Sequence, residues 1–265
     1  MSLLERSSGD VNVPLNEAQT RAILLDIEGT TTPKEFVYQT LFPYARDHLK
    51  DFLREHWSSP DVSADIEALR HEHLIDVEQA FSPPRWRDEP VDSAMESAAD
   101  YACWLMDRDR KSTALKSLQG KIWELGYQRR ELRGEVYDDL PSAFSRWCRQ
   151  KRDICIFSSG SVLAQKLLFS HTAFGDLTIY IRQYFDTNTG RKTDKESYSR
   201  IASALGRPPA DILFVSDAIP ELDAAKLASM ATVLCVRPGG VRPSSCAHQI
   251  IQTFDQIRPG DDPTC

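Results

Sequence analysis

The hydrophobic pattern along the chain is of two kinds. Four short runs are apolar at nearly every position: "AILLDI" from Ala22, "DICIFSSG" from Asp153, "DILFVSDA" from Asp211 and "ATVLCVRPGG" from Ala231. Continuous apolar runs of strand length are the pattern of parallel strands buried on both faces. Between the later runs, apolar residues recur every three or four positions over Val162–Phe169, Asp194–Leu205 and Glu221–Ser229, which predicts helices. Alternation of this kind predicts an α/β fold with a doubly wound parallel sheet. The stretch "IYIRQYFDT" around Tyr180 reads as a further short strand or a strand-like connection.

The first two runs are separated by roughly 125 residues, whereas a crossover between parallel strands needs only a dozen or more. The interior of that gap has helical spacing, in "FVYQTLFPYARDHLKDFLREHW" and again from Val91 to Leu132, where Leu115, Leu118, Ile122 and Leu125 mark one face. "FSPPRWRDEP" is a Pro-rich connector between these helices. A helical insertion is therefore predicted directly after the first strand. No internal repeat interrupts it.

Candidate chemistry lies at the carboxyl ends of the apolar runs, where open α/β sheets bind their ligands. The first run delivers Asp26, Glu28 and Thr30, the second Ser158, Ser159 and Gly160, and the third Ser216 and Asp217. Each residue type also has an ordinary role. Aspartate and serine at strand ends cap helices and make turns. Two carboxylates as close as Asp26 and Glu28, however, repel each other unless a cation or a proton lies between them. Mg²⁺ prefers carboxylate oxygens, and Asp217 arriving from another strand would complete a cage. "SSGS" at Ser158–Ser161 ends a strand and opens a helix, which makes it an anion site as well as a cap. Lys192 follows a Gly-containing turn, so it can reach back across the strand ends; on residues alone it ranks only slightly above Arg191. Lys195 reads as a solvated surface lysine.

Other residues ask for less. His71 and His73 are two apart, so on a helix they diverge and make a poor metal pair. The tryptophans at 86, 104, 123 and 147 read as packing residues. "YDDLP" at Tyr137–Pro141 resembles a helix start, with Asp138 or Asp139 near the cap. A net charge of −7 argues against nucleic acid as the main partner. The six scattered cysteines contain no C-x-x-C pair, which predicts reduced thiols rather than zinc or disulfides. The polar N-terminus lacks the apolar core of a signal peptide, and no run is long enough for a membrane span.

Taken in order, the acid pair D-x-E-G-T-T, the strand-end serines, Lys192 and the later Asp217 resemble the four motifs of the haloacid dehalogenase superfamily. Glu28 stands where most phosphatases of that superfamily carry aspartate. "DIEGTTTPKEFVYQTLFPYA" is similar to the enolase-phosphatases of the methionine salvage pathway. The similarity extends through "LQGKIWELGYQRRELRGEVYDDLPSAFSRW", "IFSSGSVLAQKLLF", "FDTNTGRKTDKESYSRIA", "ILFVSDAIPELDAAKLA" and "VRPGG", nearly the whole chain from Arg21 to Ile257.

That resemblance implies a Rossmann-like core at 21–35 and 136–258, a helical cap at 36–135, a flexible lead-in at 1–20 and a tail at 259–265. It implies hydrolysis of the small phosphorylated diketone 2,3-diketo-5-methylthiopentyl-1-phosphate, with enolisation, to the acireductone 1,2-dihydroxy-3-keto-5-methylthiopentene. By motif, Asp26, Glu28 and Lys192 are catalytic, Ser158, Ser159 and Lys192 contact substrate, and Asp26, Glu28 and Asp217 bind one Mg²⁺ per subunit. Glu28 is expected to meet the metal through its backbone carbonyl, leaving its carboxyl for proton transfer. A cytoplasmic monomer is expected. Lys34, Gln39 and Arg130 depart from the family's pattern; lying outside the motif positions, they are expected to bear on cap surface and stability. The rival expectations are a same-fold phosphatase for another ester, a dehalogenase, which Glu28 disfavours, and a non-catalytic interaction protein.

Overall fold

The computed structural model describes residues 13–15 and 19–259, so most of the expected lead-in and tail lies outside the described residues. The strands are β1 (Val13–Leu15), β2 (Ala22–Leu25), β3 (Asp153–Phe157), β4 (Ile181–Phe185), β5 (Ile212–Ser216), β6 (Ala231–Cys235), β7 (Gln249–Ile251) and β8 (Ile257–Pro259). β1 and β8 pair with each other, and the other six form one sheet in the order β4-β3-β2-β5-β6-β7. Every pairing in that sheet is parallel. From β2 the chain moves outward through β3 and β4, then returns to β5 on the other side of β2 and continues outward. Strand order therefore reverses beside β2, and the carboxyl ends of β2, β3 and β5 border the crevice that such a reversal opens.

The apolar runs fill this sheet because both of its faces are covered. Ala22, Leu24, Cys155, Phe157, Ile212 and Phe214 share one buried cluster with Tyr198, Ile201 and Leu205, and with Leu222 and Ala225. Strand residues alternate between faces, so Ile23, Leu25, Ile154, Ile156, Leu213 and Val215 point the other way, and they too are buried. Each such side chain contributes about 1.5–3 kcal/mol by leaving water.

The chain divides into two compact units, Met1–Lys34, Glu135–Gln165 and Thr172–Cys265 forming one and Glu35–Gly134 with Lys166–His171 the other. The second unit is helical. A wide turn at Phe36–Leu41 leads into α1 (Phe42–His56), followed by α2 (Pro60–Glu78), α3 (Val91–Met106) and α4 (Thr113–Gln128). Pro60 lies in the first turn of α2, where its missing N–H costs nothing, and the Ser112 hydroxyl caps α4 by accepting from Leu115 N at 3.1 Å. Asp76, on α2, is buried and accepts from the Tyr101 hydroxyl at 2.7 Å and from Arg110 at 2.8 Å. His73 is buried beside it and donates from Nε2 to the Pro84 carbonyl at 2.7 Å, tying the Pro-rich connector down. His71 is exposed, so the two histidines do diverge.

The sheet unit carries α5 (Leu140–Arg149), the first turn of α6 (Val162–Ser170), α7 (Lys195–Leu205) and α8 (Ile219–Leu227). α5 packs on β3 and buries Phe144 and Trp147, the latter edge-on to Phe254 at 5.5 Å between centroids. Two strands of the six-stranded sheet lie outside the four leading runs: β4, with two half-buried and one exposed position, and β7, only three residues long.

Candidate active site

The loop after β2 is built to present a carboxylate. Asp26 continues the ladder, its N–H donating to the Val215 carbonyl at 3.0 Å. The chain then folds over itself: the N–H groups of Thr30, Thr31 and Thr32 all donate to the Ile27 carbonyl, at 3.1, 2.9 and 3.0 Å. Gly29 permits this turn with a φ of +76°, a region that residues with a Cβ rarely adopt. The Thr31 hydroxyl donates to the Asp26 carbonyl at 3.1 Å, and that of Thr30 to Asp26 Oδ2 at the same distance. All three threonines are buried, so the run that looks like polar loop sequence is a hydrogen-bonded plug under the acid.

A residue from far along the chain braces the plug. Arg237, in "VRPGG", is buried and donates to the Thr30 carbonyl from Nε at 2.9 Å and Nη2 at 2.6 Å. Its guanidinium lies 4.0 Å from the Tyr137 ring centroid and donates from Nη1 to Asp139 Oδ2 at 2.7 Å. Asp139 does precede α5, but its carboxylate does not cap that helix; it accepts instead from Arg237 and from Phe254 N, at 2.6 Å. The helix start expected at "YDDLP" is there, with Asp139 at the cap position and its carboxylate engaged by Arg237 and Phe254 instead of the helix.

Lys192 lies across the strand ends. Its ammonium pairs with Asp26 Oδ1 and, at 2.9 Å, with Glu221 Oε2. The Tyr198 hydroxyl donates to the Lys192 carbonyl at 2.6 Å and fixes the loop. Burial opposes the charge on Lys192, but Asp26, Glu221 and Glu28 outweigh it, and its pKa is raised. Arg191, its near rival in the sequence, is exposed.

Ser158 lies past the end of β3, next to β2. It is buried; its hydroxyl accepts from Gly160 N at 3.0 Å and donates to Glu28 Oε1 at 3.4 Å. Ser159 follows, half-buried. Capping of α6 falls to Ser161, whose hydroxyl accepts from Ala164 N at 3.3 Å. Gln165 donates to the Gly160 and Phe185 carbonyls, each at 2.9 Å, and so pins this turn to β4.

The cluster holds more acid than base. Burial pushes Glu28 up to about 6, helped by Asp26 and opposed by Lys192. Burial likewise raises Asp217, with Lys34 opposing, and Glu221, with Lys192 opposing. Asp26, Glu28, Asp217 and Glu221 are four carboxylates, and Lys34 and Lys192 two ammonium groups, which leaves two negative charges over. A divalent cation matches that excess. Among the described residues no three carboxylate, imidazole or thiolate groups converge closely enough to hold a metal by themselves. Mg²⁺ does not require three, since it keeps several waters and takes one or two carboxylates together with substrate phosphate. The donor set therefore fits it.

Two participants escaped sequence reasoning. Glu221 stands one turn into α8, five residues beyond Ser216, whose hydroxyl donates to it at 2.9 Å; the signal was an acid in the first turn after the third strand end. Lys34 was expected to bear on cap surface, but its ammonium pairs with Asp217 Oδ2 inside the sheet unit. A lysine is the residue type most readily dismissed as solvated.

A parallel sheet of this order, with acids, a serine and a lysine gathered at its switch point, is also what the family comparison returns: residues 20–229 match the model of the haloacid dehalogenase-like hydrolases, and the chain belongs to that family. Its relatives narrow the assignment. The enolase-phosphatase E1 of Synechococcus elongatus is 48% identical over 235 residues, covering 89% of this chain and 96% of its own. That of Salmo salar is 38% identical over 257 residues, covering 93% and 97%. Among solved structures, the UTR4 protein of Saccharomyces cerevisiae superposes with a TM-score of 0.73 at 33% identity, covering 90% of this chain and all of that one. Within the hydrolases, this is a member of the enolase-phosphatase E1 family.

Proposed function

We propose that the protein is a Mg²⁺-dependent enolase-phosphatase, converting 2,3-diketo-5-methylthiopentyl-1-phosphate to the acireductone and phosphate in methionine salvage. The observation that carries this is the Asp26 carboxylate held between Lys192 and Thr30 at the switch point, with glutamate rather than aspartate two residues on. The relatives' shared name contains both halves of the activity.

Asp26 is the nucleophile. A carboxylate oxygen attacks phosphorus, an O–P bond forms to Asp26, and the bond from phosphorus to the substrate oxygen breaks. Lys192, kept cationic by its acidic neighbours, steadies the charge on the phosphoryl oxygens. Ser158 and Ser159, with the turn that precedes α6, are assigned to the same oxygens. In substrate already enolised by transfer of a C1 proton to the C2 carbonyl oxygen, Glu28 gives its proton to the departing C1 enolate oxygen. With its carboxyl pushed up to about 6, a protonated fraction persists near neutral pH. The ionised Glu28 then takes a proton from the water that hydrolyses the aspartyl-phosphate, which releases phosphate and restores Asp26.

Asp26 and Asp217 would hold the metal through their carboxylates and Glu28 through its main-chain oxygen, one Mg²⁺ per chain. When bound, the ion supplies charge neutralisation between the two anions that must meet. Among the described residues no helix is long and apolar enough to cross a membrane. The reading takes the chain as a cytoplasmic monomer, and the free Cys103, Cys148, Cys155, Cys235 and Cys246 support a reducing compartment. Purified protein incubated with Mg²⁺ and the diketone phosphate should release phosphate and acireductone in equal amounts, the latter followed by absorbance. Phosphate release from generic esters with no acireductone from the diketone would replace this substrate by another.

A further inference from the structure

Lys34 closes the loop that begins at Asp26, and it is the last residue of its segment of the sheet unit. Its stem crosses Gly29 so closely that a Cβ there would stand 2.6 Å from Lys34 Cε and would also run into the Asp217 carboxylate. The glycine thus leaves the space in which ammonium and carboxylate meet. The two partners differ in freedom: the Asp217 side chain is 17% exposed and that of Lys34 53%. The acid is fixed, and the lysine approaches it from solvent.

We propose that Lys34 is a tethered stand-in for the divalent cation, neutralising Asp217 when metal is absent and yielding the carboxylate to Mg²⁺ by swinging into solvent. This rests on the reading of Asp217 as a metal ligand. The physical basis is competition for one anion. A half-exposed lysine pair is weak and easily exchanged with water, while a divalent ion brings twice the charge and needs the same oxygens. A site whose competent state is only partly populated binds with an apparent affinity reduced by that fraction. Lys34 therefore makes the metal site weaker than its carboxylates alone would be, and makes the metal-free protein easier to maintain.

Titration calorimetry with MgCl₂ on the full chain tests this, using wild type, Lys34→Met, Lys34→Arg and Asp217→Asn. Lys34→Met keeps the stem over Gly29 and removes the charge, so its Kd for Mg²⁺ should fall about threefold to tenfold; Lys34→Arg should stay near wild type. In thermal melts, metal-free Lys34→Met should unfold below wild type, and saturating Mg²⁺ should close the gap. Equal or weaker Mg²⁺ binding by Lys34→Met, with Asp217→Asn abolishing it, would overturn the stand-in role and leave the metal site intact. Binding in Asp217→Asn as tight as in wild type, or no binding to any of the proteins, would remove the metal reading of Asp217 and this inference with it.

Discussion

Asp76 in the helical unit and Asp26 in the sheet unit make an instructive pair. Both are buried, and each accepts one hydroxyl and one cation: Tyr101 and Arg110 for Asp76, Thr30 and Lys192 for Asp26. The difference lies in the surroundings. Arg110 brings a planar, multiply donating group to Asp76, the kind of partner that fixes a carboxylate in place. Lys192 is a point charge on a flexible stem and is shared with Glu221, while Glu28 and Asp217 add further negative charge nearby. Asp76 has one further acid, Glu72, near its pair, whereas Asp26 belongs to a larger cluster of four carboxylates with two lysines. Burial and pairing thus mark a structural acid, and a larger excess of like charge around the pair marks a reactive one.

The comparison can be broken by experiment. The largest effect is expected at Asp26: Asp26→Asn should lower turnover of the diketone phosphate by roughly a thousandfold or more, as for loss of a nucleophile, while Asp76→Asn should leave kcat per folded molecule unchanged. Phosphate-release kinetics on the two variants decide it, and comparable activity in both would erase the distinction. Lys192→Met should cost roughly a hundredfold in kcat by removing charge stabilisation at the transferring group. It should also lower the melting temperature of the metal-free protein, with added Mg²⁺ restoring part of the loss because the crowded acids regain a counter-charge. A variant whose melting temperature ignores Mg²⁺ would argue that the cluster is balanced without an ion. At Asp76 the effect should appear in stability: Asp76→Ala leaves Arg110 and the Tyr101 hydroxyl without their acceptor and should lose about 3 kcal/mol in urea unfolding, the lower end for a broken buried pair because Arg110 is partly exposed.

Much of this was legible in the residues, for identifiable reasons. β2, β3, β5 and β6 are buried on both faces, so each reads as an unbroken apolar run and delivers its polar residues at one sheet edge. β4 lies at the sheet's edge and its burial is uneven, which blurred it into a connection, and the three residues of β7 are too few to show a period. At the site, the residues that closely follow β2, β3 and β5 were found, and Lys192 through its Gly-containing turn; Glu221, Lys34 and Arg237 were not. Glu221 is placed by a helical turn, Lys34 by the path of a loop, and Arg237 by a strand end more than two hundred residues from the carbonyl it holds. No spacing rule connects such pairs, because the fold, not the local chain, brings them together.

The reach of Arg237 has a consequence for the life of the chain. The strand that leads to Asp26 emerges early in synthesis, yet the carbonyl of Thr30 waits for a guanidinium encoded 207 residues later. A nascent chain still short of that point would carry its acids on an unbraced loop. Activity should thus switch on late in translation, and nonsense or frameshift truncation before Arg237 should yield inert polypeptide even where the first three strands of the sheet are intact.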